Sequence, residues 1–111
     1  MNIQKKTDFF RIEILALKIL ETKDCYGLEI SQEIARQTNG LFSLREGSLY
    51  PVLYKLEDNG FISSYPKKTS VRQVKIYYHM ERKGADHLRA LYDQYQKSIE
   101  AIHQLMEGDG K

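Results

Sequence analysis

The sequence predicts a mainly α fold with one small β-hairpin and a long final helix. Three observations carry this. Apolar residues recur at helical spacing in three segments before Gly60, alternation and β-rich composition replace that period between Phe61 and Met80, and a heptad pattern fills the remainder. With 111 residues and 41% hydrophobic content the chain can bury one modest core.

The first segment, FFRIEILALKILETK, places Phe9, Ile12, Leu15, Ala16, Ile19 and Leu20 on one stripe, with Thr7 or Asp8 as N-cap. The second, YGLEISQEIARQTNG, carries Leu28, Ile30, Ile34 and Ala35 and stops at Asn39-Gly40. The third is EGSLYPVLYKLEDNG, with Leu49, Leu53 and Leu56 on one stripe and Gly60 as stop signal. Ser43 and Glu46 ahead of it match a capping box. Pro51 inside it costs about 3 kcal/mol in a helix interior. A start at Ser48 would put Pro51 in the first turn, where its missing donor is an orphan anyway. A start nearer Arg45 would leave Gly47, which lacks a Cβ, as the i−4 partner. Either start makes the first turn irregular and turns Ser48 and Tyr50 outward.

FISSY and VKIYYHM read as antiparallel strands joined by an extended polar loop, PKKTSVRQ, with Ile76 and Tyr78 alternating against Lys75, Tyr77 and His79. In the last segment Ala85, Leu88, Tyr92, Tyr95, Ile99, Ile102 and Met106 alternate spacings of three and four, an a/d seam about three heptads long. Residues 1–80 then form a winged helix-turn-helix unit, 81–107 a helix packed onto it as part of one compact body, and 108–111 a fraying tail.

In that plan the third helix enters a DNA groove and must bury one side while offering hydrogen-bonding groups on the other. Arg45, Ser48, Tyr50, Pro51, Tyr54 and Lys55 are left for the second task. Periodicity alone fits an ordinary surface helix equally well. The hairpin favours DNA: no acid occurs from Asn59 to Met80, while Lys67, Lys68, Arg72 and Lys75 are all present. Strand-protecting lysines are the plainer account of such a cluster taken alone. The net charge of +2 is too small to speak for nucleic acid on its own.

Other chemistry is hard to build. His79, His87 and His103 fit no ligand spacing and the single Cys25 cannot complete a metal site with them, so no metal, cofactor or catalytic constellation is expected. Cys25 reads as a buried, inert thiol in a reducing cytoplasm. No apolar run follows a basic start, and none is long enough to span a bilayer, so neither a signal peptide nor a membrane partner is expected.

The heptad seam predicts a homodimer in which Leu88, Tyr92, Tyr95, Ile99, Ile102 and Met106 pack against both their own domain and the partner's first helix around Phe9 and Ile12. Tyr92 and Tyr95 on that seam pack in a dry core; the sharper alternative is a pocket for a small, flat aromatic effector.

GSLYPVLYKLEDNGFI (47–62) resembles the signature of the PadR family of transcriptional regulators. YGLEI (26–30), IYYHMERKG (76–84) and the long terminal helix follow in the expected order, so the resemblance covers nearly the whole chain. It implies a homodimeric, usually repressing protein that binds double-stranded DNA at a near-palindromic operator, in the short subgroup with one C-terminal helix. Two positions depart from the family's habit: TSVRQVK lacks the Gly-Gly-Arg type of wing turn, and Glu81 replaces the threonine that usually opens the last helix. The rivals from other classes are a winged-helix protein-interaction module that does not read DNA, and a sensor in which ligand binding is primary.

Overall fold

The computed structural model describes residues 3–108, with side chains from residue 10 onward. The elements run α1 (Ile3–Thr22), β1 (Cys25–Tyr26), α2 (Gly27–Gln37), α3 (Glu46–Asp58), β2 (Ile62–Ser70), β3 (Gln73–Met80) and α4 (Arg82–Glu107). The strands form one antiparallel sheet in the order β1-β3-β2. The mainly α fold with a small sheet is as expected. The third strand, β1, is additional: two residues ahead of α2 pair Cys25 with Tyr78 and Tyr26 with Tyr77.

α1 begins at Ile3, ahead of the expected caps Thr7 and Asp8, whose side chains, like that of Phe9, lie outside the described residues. Its buried set is Ile12, Ala16, Leu17, Ile19 and Leu20. Leu17 lies off the expected stripe because α1 is covered from more than one side, by α2, α3 and α4. In α2, Ile30 and Ile34 enter the core, but Leu28 is 47% exposed and does not. The helix closes as its sequence indicates, with Asn39 (φ 52°) and Gly40 (φ 79°) left-handed and Thr38 Oγ1 accepting from Phe42 N.

α3 is capped by the backbone of Arg45 without a side-chain bond, so the Ser43–Glu46 capping box does not form. The helix starts before Ser48, and Pro51 is an interior residue; of the two starts open to the sequence, the one near Arg45 is found. The Arg45 carbonyl accepts from both Ser48 N and Leu49 N, each at 3.0 Å, which tightens the first turn. The helix continues unbroken across the proline, anchored by Leu49, Val52, Leu53 and Leu56, all buried to within 1%.

The polar segment PKKTSVRQ is not an extended loop. β2 pairs with β3 through Pro66–Ile76, Lys67–Lys75 and Lys68–Val74 to Ser70–Gln73, leaving Val71 and Arg72 as a two-residue turn. β2 is an edge strand, where a proline's missing donor can face away from the ladder. Neither Val71 nor Arg72 has positive φ, which the usual two-residue hairpin turns need, and a register irregularity at Lys68–Ser70 accompanies this.

α4 opens at Glu81, which makes no side-chain cap; its carboxylate accepts from Ser63 Oγ at 2.6 Å and its N–H donates to the Phe61 carbonyl at 3.0 Å. Gly84 then sits on that same carbonyl, leaving no room for a Cβ. Leu88 and Leu91 complete the core, and all buried residues of α4 lie in its first ten. The rest of the helix extends past the body of the molecule, whose extents are 65 × 30 × 28 Å.

Because the obstacle at Gly84 is backbone, Gly84→Ala must push α4 off the α3–β2 junction. We expect it to cost about 1–3 kcal/mol, read by urea denaturation. A loss no larger than that of Ala90→Ser on the exposed face would show that the close approach does not matter.

Candidate nucleic-acid interface

With Leu49, Val52, Leu53 and Leu56 turned inward, α3 leaves Gly47, Ser48, Pro51, Tyr54, Lys55 and Asp58 exposed. Tyr54 is 56% exposed. Arg45 is exposed at the cap. Tyr50 departs from the expected outward pose. Its hydroxyl occupies the space a side chain on Gly27 would need, so the ring is half-buried against the start of α2, 5.9 Å from the Tyr54 ring. Burial raises its hydroxyl pKa, with Glu46 and Tyr54 adding to the shift. Gly27 is therefore the residue that admits Tyr50. Lys55 has company as well: its charge acts on Glu13 of α1, the carboxyl that burial raises above the usual range.

The hairpin separates the four expected cations by strand alternation. Lys67 and Lys75, cross-strand partners, share a face with Tyr65 and Tyr77. Lys67 Nζ lies 4.8 Å from the Tyr77 centroid and Lys75 Nζ 4.0 Å from that of Tyr26. Tyr77 packs edge-on to Tyr26 at 5.4 Å and stacks with Tyr65 at 5.9 Å. Lys68 falls in the other phase, with Ile62, Ser64 and Tyr78, which point toward the core and α3: Ser64 Oγ donates to Glu57 Oε2 at 2.6 Å. Arg72 stands in the turn beside Val71, which is 86% exposed. The tyrosine–lysine face was legible only once PKKTSVRQ was paired as strand. Read as loop, its alternation carried no meaning.

Asp24 ties this sheet to the loop after α1. It accepts from Tyr65 Oη at 2.7 Å and meets His79 Nδ1 at 2.8 Å. Burial opposes ionisation of Asp24, but the Tyr65 and His79 hydrogen bonds prevail and lower its pKa. The bond to Asp24 raises His79 and holds the Tyr65 hydroxyl up at about 12. Cys25 next to it is fully buried, and burial pushes its thiol up to about 11, an unreactive state.

On α4 the expected seam divides. Leu88, like Ile12 of α1, is buried inside its own chain. Tyr92 (51%), Ile99 (46%), Ile102 (55%) and Met106 (78%) remain exposed, joined by Leu105, which the heptad did not include. Leu91 is buried instead. Tyr92 and Tyr95 stack at 6.4 Å, but only Tyr92 reaches the groove of about 440 Å³ between α1 and α4, lined with Ile14, Lys18, Glu21, Leu88 and Arg89.

Three helices, a wing-like hairpin after an exposed-faced third helix, and a long terminal helix define the winged helix-turn-helix class. The model of the transcriptional regulator PadR-like family matches residues 16–90, and the chain belongs to that family. A protein of Lysinibacillus sphaericus, itself uncharacterized, is 33% identical over 105 residues, 93% of this chain and 96% of its own. A PadR family transcription regulator from Clostridium difficile is 31% identical, with 86% of this chain and 97% of that chain covered and a TM-score of 0.71. The fold is also shared with PadR of Bacillus subtilis, solved in complex with operator DNA, at 23% identity, 70% of this chain, 44% of that chain and a TM-score of 0.64. Among the described residues no helix is long and apolar enough to cross a membrane.

The Asp24 clamp has a defined pH window. A lowered aspartate adds stability above the unfolded carboxylate pKa, and a raised histidine adds stability below the unfolded imidazole pKa. Both are present at about pH 5–6, and the histidine share is lost as pH rises through the raised His79 value. Asp24→Asn should therefore lower the melting temperature more near pH 5.5 than near pH 8.5. An equal loss at both would mean the ion pair contributes nothing beyond its hydrogen bonds.

Proposed function

We propose that the chain is a cytoplasmic, homodimeric DNA-binding repressor. In this reading residues 1–80 bind the duplex and 81–107 form the dimerisation helix. Two copies of α3 enter successive major grooves of a near-palindromic operator about one helical turn apart. The observation that carries this is the two-sidedness of α3: a fully buried leucine–valine stripe opposite exposed Ser48, Pro51, Tyr54 and Lys55. The acid-free hairpin beside it and the fold shared with a PadR solved on operator DNA support the same reading. Ser48, Tyr54 and Lys55 serve the base edges, with Arg45 at the helix start. Tyr50 acts indirectly, by seating α3 against α2.

The wing works through Lys68 and Arg72, on the α3 side and at the turn, while Lys67 and Lys75 are held over tyrosine rings. Binding to the gene's own upstream region, followed by gel shift across salt, tests this. Lys68→Ala with Arg72→Ala should reduce the slope of log affinity against log salt by about two per subunit, about four for the dimer. Lys67→Ala with Lys75→Ala should change it less. Equal reductions would place all four cations on phosphate, and no binding to the upstream region at any salt would remove the DNA reading and favour the interaction module.

The dimer reading rests on the row of exposed apolar residues along α4, more than one helix of a soluble monomer ordinarily leaves bare. Ile99→Asp would put an unpaired carboxylate into that contact. Sedimentation of the variant at micromolar concentration should shift toward monomer. Wild type already monomeric there would end the two-helix operator model. Any flat aromatic effector would enter the groove beside Tyr92, with Tyr95 outside it.

A further inference from the structure

Glu13, His87 and Phe61 meet where α1, α4 and the α3–β2 junction come together. The His87 imidazole lies flat on the Phe61 ring, with centroids 3.9 Å apart and planes 8° from parallel. Its Nε2 is buried without a hydrogen-bond partner. That nitrogen faces Glu13 Oε2 at 3.8 Å, beyond hydrogen-bond length. The Glu13 side chain is only 13% exposed. Lys55 and Lys83 also bear on the cluster. Lys55 of α3 acts on Glu13, and Lys83 of α4 lies 5.3 Å from the Phe61 centroid while donating to the Asn59 carbonyl at 2.9 Å.

A largely enclosed carboxyl set opposite an unpartnered imidazole nitrogen becomes an ion pair when the ring is protonated and the carboxyl is not. Histidine is the side chain that gains that proton between about pH 8 and pH 5. A charge-assisted N–H···O bond is about 2.7–2.9 Å long, so closing the gap requires α1 and α4, or their side chains, to move together by about 1 Å. We propose that Glu13 and His87 form a proton-operated latch between α1 and α4. A proton taken from solvent onto the imidazole draws the carboxylate into a hydrogen bond and tightens α4 on α1. Its loss leaves the largely enclosed Glu13 carboxylate facing a neutral ring, and the contact slackens.

Burial raises the Glu13 carboxyl against the lowering pull of His87 and Lys55. Because α4 carries the apolar row of the proposed dimer, the latch would set the angle at which that row leaves the domain. This last consequence rests on the dimer reading, and the latch itself does not.

The test is a double-mutant cycle of wild type, Glu13→Gln, His87→Gln and the double variant, by urea denaturation at fixed protein concentration near pH 5.5 and near pH 8.5. Asp24 and His79 are present in all four proteins, so their titration cancels. Expected is a coupling on the order of ten-fold in the folding constant at the lower pH, falling to within about two-fold at the higher. Glu13→Gln alone should be less stable than wild type in acid and as stable or more so in base. Equal coupling at both pH values overturns the latch. If His87→Gln does not fold, the Glu13→Gln comparison decides: a loss of the same sign and size at both pH values overturns it. Sedimentation in the same buffers reads the dimer separately. A monomer with pH-dependent coupling would end the dimer reading and leave the latch standing.

Discussion

Ala16 and Leu17 are completely buried, and the helix that holds them packs against α2, α3 and α4 alike. α1 receives α2 and α3 on one side and α4 on another, so the mutual placement of the helix pair and the terminal helix is set through its side chains. That arrangement explains why Ile12, Ala16, Leu17, Ile19 and Leu20 span more of the helix circumference than one amphipathic stripe. It also explains how one modest core can hold a helix that extends well past it. The first ten residues of α4 are fixed at three places: Gly84 on the Phe61 carbonyl, His87 on the Phe61 ring, and Leu88 with Leu91 in the core. Phe61 is thus where the end of α3, the start of the wing and the foot of α4 come together.

How much of this was legible in the sequence depends on how many faces an element buries. α3 buries one, and its leucine stripe was readable at once. α1 buries more than one, so Leu17 escaped a test that looks for one stripe. Leu28 erred in the opposite direction. It keeps the helical period of α2 but sits in the first turn with its side chain half exposed, and period cannot report whether a neighbour covers a position. The terminal helix was placed correctly along the chain, yet the heptad merged two environments. Leu88 belongs to the monomer core, whereas Ile99 and Ile102 face outward.

The wing failed for a different reason. Proline, two lysines and small polar residues are all unfavourable in a central strand, and together they spell a loop. They form strand here because β2 is an edge and because the tyrosines of the neighbouring strand receive the lysines that alternate with the core. Tyr50 shows the same limit at the reading helix. Its position beside Pro51 suggested an outward side chain, and nothing local announced that Gly27, far away in sequence, vacates the space its hydroxyl fills. Pairs of this kind, one residue enlarged where a distant one is reduced, are a property of the fold and not of any window along the chain.

The division of the wing cations changes what an acid-free hairpin means. Had all four pointed at one surface, their charges would read as four phosphate contacts. With Lys67 and Lys75 resting on aromatic rings, their heads remain charged but are committed to the face opposite Lys68. Lys67 shares the strand of Lys68 and Lys75 lies on the neighbouring one, about 4.8 Å away, inside the Debye length of about 8–10 Å at ordinary salt. On the proposed DNA reading, their contribution to a polyanion is to the approaching field, which steers encounter, and not to the contact, which fixes register. The same stacking stiffens the hairpin, since Tyr26, Tyr65 and Tyr77 bridge all three strands and Asp24 binds two of them to the loop that precedes α2. A wing braced against the first helix of the reading pair keeps Arg72 at a fixed distance from α3. On the proposed DNA reading, that rigidity, more than the number of cations, would let one short chain present a helix and a turn to a duplex as a single surface.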